Sequence, residues 1–259
     1  MFATSAMAAG ERQFDFISPD DYTVVTDTGG SNFAITVQGY QYSLPGYDSL
    51  TADEKLQMEW SIDEDTDVID IVSGGTDSDT ATFEVKGEGT ATINMTYTQP
   101  DTTTTSVTTY VVVEGTTVVS QVEDVNVEIV GDTFSGLNDT YDVPLFDLKD
   151  VFDGTFEDVL KNTPSATHAV LYALEIENST ETTATPIGSF DWNWVRANVT
   201  IDHDGGYISR IEDDEDITIG WDFYGWQYRV NTLDPGRAAS VTPLEDDDSV
   251  LWFFDVYSW

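Results

Sequence analysis

Short runs of alternating apolar and polar residues recur along almost the whole of this chain, and a side-chain repeat of two is the mark of strands that bury one face. Seven such runs lie between Ser18 and Gly115, at 22–25, 33–37, 57–62, 68–72, 80–85, 91–97 and 107–113, with turn residues between them. Seven short strands at that spacing predict a β-sandwich. A helical repeat occurs convincingly only over 163–174, where Ala166, Ala169, Val170, Ala173 and Leu174 recur at helical spacing and Pro164 suits a first turn. The chain is therefore expected to be mainly β, with one short helix in its second half.

The last forty residues sharpen that expectation. Aromatic-rich alternating runs at 226–230 and 250–256 flank a turn-rich stretch and the acidic turn Asp246, Asp247 and Asp248, a hairpin-like pattern. Six of the seven tryptophans fall after residue 124, more than one core of that size needs. Alternation in the segments 191–195 and 225–230 sends some rings to each face, and an exposed aromatic patch marks an interaction surface. Trp226, Tyr228, Trp252, Phe254, Tyr257 and Trp259 are the candidate interface or ligand residues. The terminal run 251–259 has no Lys or Pro to guard an open edge. Two placements follow for it: against a neighbouring subunit, or central and buried in its own sheet.

Charge restricts the partners. Nine Lys plus Arg against 49 Asp plus Glu give a net charge of −40 with no basic segment. Nucleic acid and anionic membrane surfaces are excluded as partners on that ground. The acidity reads as a solvated surface suited to a salt-rich exterior, of halophilic type. No run approaches the roughly 18–20 apolar residues of a membrane span. Without cysteine the chain has neither disulfides nor thiolate chemistry.

Few residues offer chemistry. His168 and His203 are the two histidines, and neither a G-x-S-x-G elbow, an H-E-x-x-H pair nor a phosphate-binding glycine loop accompanies them. No enzyme activity is expected. Carboxylates at Asp63, Asp65 and Asp67 alternate in one loop and would face one side if it is extended. Hard oxygen ligands at that density suit Ca²⁺, the one cofactor the sequence points to; the competing reading is a solvated turn.

The first residues, MFATSAMAA, are short and apolar, with small residues at Ala6 and Ala8 spaced as in an A-x-A cleavage site. Residues 1–17 are read as a remnant signal peptide or N-terminal segment. Sequons at Asn94, Asn138, Asn178 and Asn198 agree with export and mark candidate glycosylation sites.

Two resemblances add to this reading. The segments MEWSIDEDTDVIDIV, from Met58, and ATFEVKGEGTATINMTY, from Ala81, resemble the bacterial immunoglobulin-like (group 2) domain, with Trp60 at the centre of the sandwich and Gly87 and Gly89 in a tight turn. Further on, Gly225, Trp226, Tyr228, Val230 and Asn231, then the apolar-acidic turn 244–248 and the aromatic strand from Val250, resemble the transcobalamin-like C-terminal domain. Thr232 stands where that family has glycine. The resemblances imply an immunoglobulin-like β-sandwich over 18–118 and a β-grasp-like domain with one short helix over 125–259. They imply a secreted, extracellular protein of an archaeal cell surface that assembles with itself, or with other surface proteins, into a layer, sheath or filament. The alternative is an extracellular module that binds a small molecule, a glycan or a protein partner through the C-terminal aromatics.

Overall fold

A computed structural model describes residues 12–16, 22–27, 29–41, 47–63, 67–99, 102–152, 154, 160–202, 206–219 and 222–258. The chain divides into two compact units, Met1–Thr116 and Thr117–Trp259.

The first unit is a β-sandwich. Its strands are β1 (Arg12–Phe16), β2 (Tyr22–Thr26), β3 (Asn32–Gln41), β4 (Tyr47–Asp48), β5 (Met58–Asp63), β6 (Ile69–Ser73), β7 (Thr80–Val85), β8 (Gly89–Thr98) and β9 (Thr104–Glu114), with a single turn of helix, α1 (Ala52–Lys55), before β5. One sheet runs β1-β3-β7-β6 with β4 also on β3, and the other runs β2-β9-β8-β5. Alternate residues from both sheets meet in one core. Trp60 of β5 reaches across it, its ring 6.3 Å from those of Phe16 and Phe83 on the opposite sheet. Its indole N–H donates to the Ser78 carbonyl at 2.8 Å, so the one polar atom of the buried ring is satisfied. Gly89 has a φ of 138°, and a Cβ there would press on Val68, which is why this turn takes glycine.

Residues 12–16, expected ahead of the sandwich, are its first strand. Phe14 and Phe16 alternate inward and β1 pairs with β3 over its whole length. Five residues with two buried rings are too short a run to stand out by periodicity alone.

The second unit is a β-grasp. Its strands are β10 (Gln121–Val130), β11 (Leu137–Pro144), β12 (Val199–Asp202), β13 (Tyr207–Ile211), β14 (Asp214–Glu215), β15 (Ile217–Ile219), β16 (Asp222–Val230) and β17 (Ser249–Ser258). The helices are α2 (Leu148–Val151), α3 (Ala166–Asn178) and α4 (Asn193–Asn198). The main sheet is β11-β10-β17-β16-β15, with β10 and β17 parallel at its centre and antiparallel neighbours on either side. A small sheet, β12-β13-β14, accompanies it. The first ten residues of α3 are all buried, because the helix packs against β10, β11, β17 and α4 together.

Two expectations change here, and of the two placements open for the terminal run the central one is observed. The helix begins at Ala166, with Pro164 ahead of it, and runs to Asn178, past the expected end at Leu174. The segment 191–195 is no strand: Trp192, with φ 53°, precedes α4, so Trp192 is buried and Trp194 half-buried through helical placement. The terminal strand β17 is central, between β10 and β16, rather than an open edge along its whole length. Its residues 250–253 pair on both sides, Ser249 pairs with β10, and 254–258 pair with β16.

Candidate functional site

An open groove of about 670 Å³ lies against β11, an edge strand of the main sheet of the second unit. Its floor and walls come from four places: the β10 entry, β11 itself, Tyr172 of α3, and the loop 183–187 that follows α3. A β-bulge shapes the first. The register of β10 against β11 slips between Val122 and Val125, and Asp124 takes a φ of 56°. The turned Asp124 N–H donates to the Asp142 carboxylate on β11 at 3.2 Å, which orients that carboxylate at the groove. The bulge is itself tied down by the acidic turn before β17. Asp246 accepts from the Glu123 N–H at 2.8 Å, and the Asp247 N–H donates to the Glu123 carbonyl at 3.0 Å.

Two tyrosines close the floor. Tyr141 donates its hydroxyl to Glu177 at 2.9 Å, and burial together with that carboxylate pushes its phenol well above the usual range. Tyr172 of α3 packs edge-on against Tyr141, with ring centroids 6.2 Å apart, and stacks on Phe190 at 5.8 Å. Beneath them a continuous run of rings, Phe190, Trp192, Phe146 and His168, carries the aromatic packing into the core. Tyr172 is 5% exposed, its hydroxyl opens on the groove, and its phenol is raised by burial and by the Asp142 charge. Among the described residues, no Lys, Arg or His lines the groove. The site can thus offer two carboxylates, Asp124 and Asp142, with hydroxyls from Tyr172 and Thr183 opposite.

The residues singled out from sequence fall elsewhere. Trp226 and Trp252 are each 1% exposed and belong to the core, so they do not form an interaction surface. The Trp226 indole donates to the Asp214 carbonyl at 2.9 Å. Tyr228 stacks on Trp252 at 5.1 Å and donates to the Arg237 carbonyl at 2.6 Å; Phe254 packs on Trp226 at 5.5 Å. The Tyr257 side chain and Trp259 lie outside the described residues. The described tryptophans of the second unit, Trp192, Trp194, Trp226 and Trp252, serve a core larger than one sheet face, because α3 is covered on more than one side.

Asp63 accepts from the Asn94 amide at 2.5 Å, Asp67 is exposed at a turn, and Asp65 lies outside the described residues. Among the described residues no group of three metal-ligating side chains forms. Of the sequons, Asn94 is held by Asp63, Asn178 donates to the Leu174 carbonyl and Asn198 to the Trp194 carbonyl, each of the last two at 2.9 Å. Asn138 is exposed on the edge strand β11, where its carbonyl accepts from Asn126.

His168 is a structural pin. Its Nδ1 accepts from the Ser165 N–H at 3.1 Å, so Nε2 carries the proton and donates to the Phe146 carbonyl at 2.8 Å. Burial holds its pKa down to about 4, leaving a neutral ring with both nitrogens engaged. His203 lies outside the described residues.

No protein-family model matches the chain, and no curated protein does. Among solved structures, the EC1-3 fragment of mouse clustered PcdhgC3 is 7% identical, with a TM-score of 0.29 over 94% of this chain and 67% of its own. Human CDH23 EC21-23 is 7% identical, with a TM-score of 0.28 over 93% of this chain and 64% of its own. BcpA, the major pilin subunit of Bacillus cereus, is 12% identical, with a TM-score of 0.22 over 47% of this chain and 44% of its own. At such scores these likenesses carry nothing about activity or partners.

Proposed function

We propose that this chain is an exported, non-enzymatic cell-surface protein that acts as a binding module, its first unit an immunoglobulin-like spacer and its second the unit that binds. The observation that carries this reading is the β11 groove, where carboxylates and hydroxyls converge on open space held by a buried aromatic floor. A rigid scaffold presenting polar groups from loops and strand edges is how binding modules are built. His168, one of the two histidines, is occupied on both nitrogens. The sequons, with Asn138 exposed on β11, support a place outside the cell, and the β-grasp order of the second unit supports its kinship with the transcobalamin-like domain.

A second reading is assembly into a layer or filament with cations bridging carboxylates, and one observation favours it. Residues 254–258 of β17 run past the end of β10, so one edge of that segment lies beyond the pairing that covers 249–253. Sedimentation of the full chain at high concentration, in molar KCl with and without Ca²⁺, separates the two. A monomer under all conditions supports the binding module. Growth to large species that deletion of residues 254–259 abolishes, with the fold retained, supports the layer.

A further inference from the structure

We propose that the β11 groove recognises a primary ammonium or guanidinium group, as carried by a basic segment of a partner polypeptide; this rests on the binding-module reading above. Three observations select that class. The first is the unpartnered hydroxyl of Tyr172. The ring is 5% exposed and fixed between Tyr141 and Phe190, yet its hydroxyl makes no hydrogen bond within the described residues and opens on the groove. A buried side chain that brings one polar atom to a cavity without satisfying it leaves that atom for a ligand. By contrast, the neighbouring Tyr141 hydroxyl is spent on Glu177.

The second observation is the sign of the site. Asp142 stands close enough to Tyr172 for its charge to act on the phenol, and the Asp124 N–H fixes the Asp142 carboxylate from the other side. With no cationic residue among those lining the groove, these carboxylates are uncompensated there. An anionic ligand would meet both them and a net charge of −40. A cationic group gains from each, and the Tyr172 oxygen lone pairs add a further acceptor.

The third is shape. A sugar ring is held by stacking on an exposed aromatic face, but Tyr141 and Tyr172 are both buried and offer no such platform. A bare metal ion needs more convergent ligands than two carboxylates, and no such group forms among the described residues. A groove of about 670 Å³, open along a strand edge, accommodates an extended chain bearing one basic side chain.

The test uses the full chain at near-physiological salt and compares a capped peptide carrying one lysine, the same peptide with that lysine acetylated, spermidine, and isomaltotriose. Asp142→Asn keeps the acceptor for the Asp124 N–H and removes only charge; Tyr172→Phe keeps the ring and removes only the hydroxyl. Near-UV circular dichroism checks that both fold. Glu59→Gln, at an exposed position of β5, controls for the general acidity. The expected result is that the lysine peptide binds, acetylation abolishes binding, and each groove variant weakens it about tenfold while Glu59→Gln leaves it unchanged. Stronger binding of the peptide than of spermidine assigns the site to a partner polypeptide; the reverse assigns it to a free polyamine with the same chemistry. Equal loss in Asp142→Asn and Glu59→Gln would overturn the proposal in favour of a diffuse field. Isomaltotriose binding that Tyr172→Phe abolishes, without amine binding, would overturn the ligand class and leave the binding module standing. Failure of every probe, together with polymerisation of the chain, would overturn both.

Discussion

The Asp214 carboxylate, at the start of β14, receives the Thr133 hydroxyl at 2.6 Å, the Thr133 N–H at 2.9 Å and the Phe134 N–H at 3.0 Å, across 81 residues of sequence. This closes the loop that follows β10 onto the small sheet. Asp214 is 3% exposed, and burial alone would raise its pKa. Donation from the Thr133 hydroxyl and the backbone of 132–134 outweighs that and leaves the carboxyl below its ordinary value. Gly131 belongs to the same arrangement, since a Cβ there would lie 2.1 Å from the carboxylate oxygen.

Asp214→Asn should destabilise the second unit by about 2–3 kcal/mol, because an amide turns one acceptor into a donor facing N–H groups already committed to it. Urea unfolding followed by tryptophan fluorescence measures this, and a loss within error of zero would refute the role given to Asp214. As the folded pKa is depressed, the stabilisation is present above the unfolded value and is lost as pH falls through the folded one.

Thr232→Gly should stabilise the chain by about 0.5–1 kcal/mol. Asn231 and Thr232, with φ of 51° and 69°, are the central pair of a two-residue turn closed by hydrogen bonds between Val230 and Leu233. Asn tolerates that conformation and a β-branched residue does not, while Thr232 is exposed and loses no packing. A lower melting temperature in the variant would contradict this account of the turn.

His168 makes stability depend on pH. Its folded pKa, about 4, lies below the unfolded 6.5, so on acidification the unfolded chain binds the proton first. The contribution is complete above the unfolded value and disappears as pH falls to the folded one, and is worth up to about 3 kcal/mol. The stability gap between wild type and His168→Gln should therefore narrow between about pH 7 and pH 4.5. A gap independent of pH would show that burial does not hold the ring neutral.

Salt should raise the melting temperature. The chain confines a net charge of −40, and pairs such as Lys55 with Asp79 at 2.6 Å offset little of it. At molar KCl the Debye length is about 3 Å, which screens the surface repulsion. Melts in dilute buffer and in molar KCl check this, and an unchanged or lower melting temperature would count against it.

What sequence showed and what it hid follow from how each feature is encoded. Trp60 and the alternation around it mark a half-buried strand, and a period of two survives in the sequence because each side chain alternates independently. The segment around Trp192 misled because two tryptophans at i and i+2 suit a strand equally well, and its αL entry into α4 leaves no pattern. The central place of β17 depends on its parallel pairing with β10, some 120 residues earlier, which no local repeat records. The groove was least legible. Asp124 and Asp142 are two of 49 acids, and only the bulge in β10 turns one toward the other. Tyr172 reads as one more buried helix position, since which single atom of a core residue reaches solvent is decided by packing alone.

The most direct measurement is the backbone amide NMR spectrum of the full chain titrated with the lysine peptide. Saturable shifts confined to 140–142, Asp124, Tyr172 and the 183–187 loop are expected, with the first unit unperturbed. Shifts scattered over acidic surfaces of both units, or confined to residues away from β11, would contradict this.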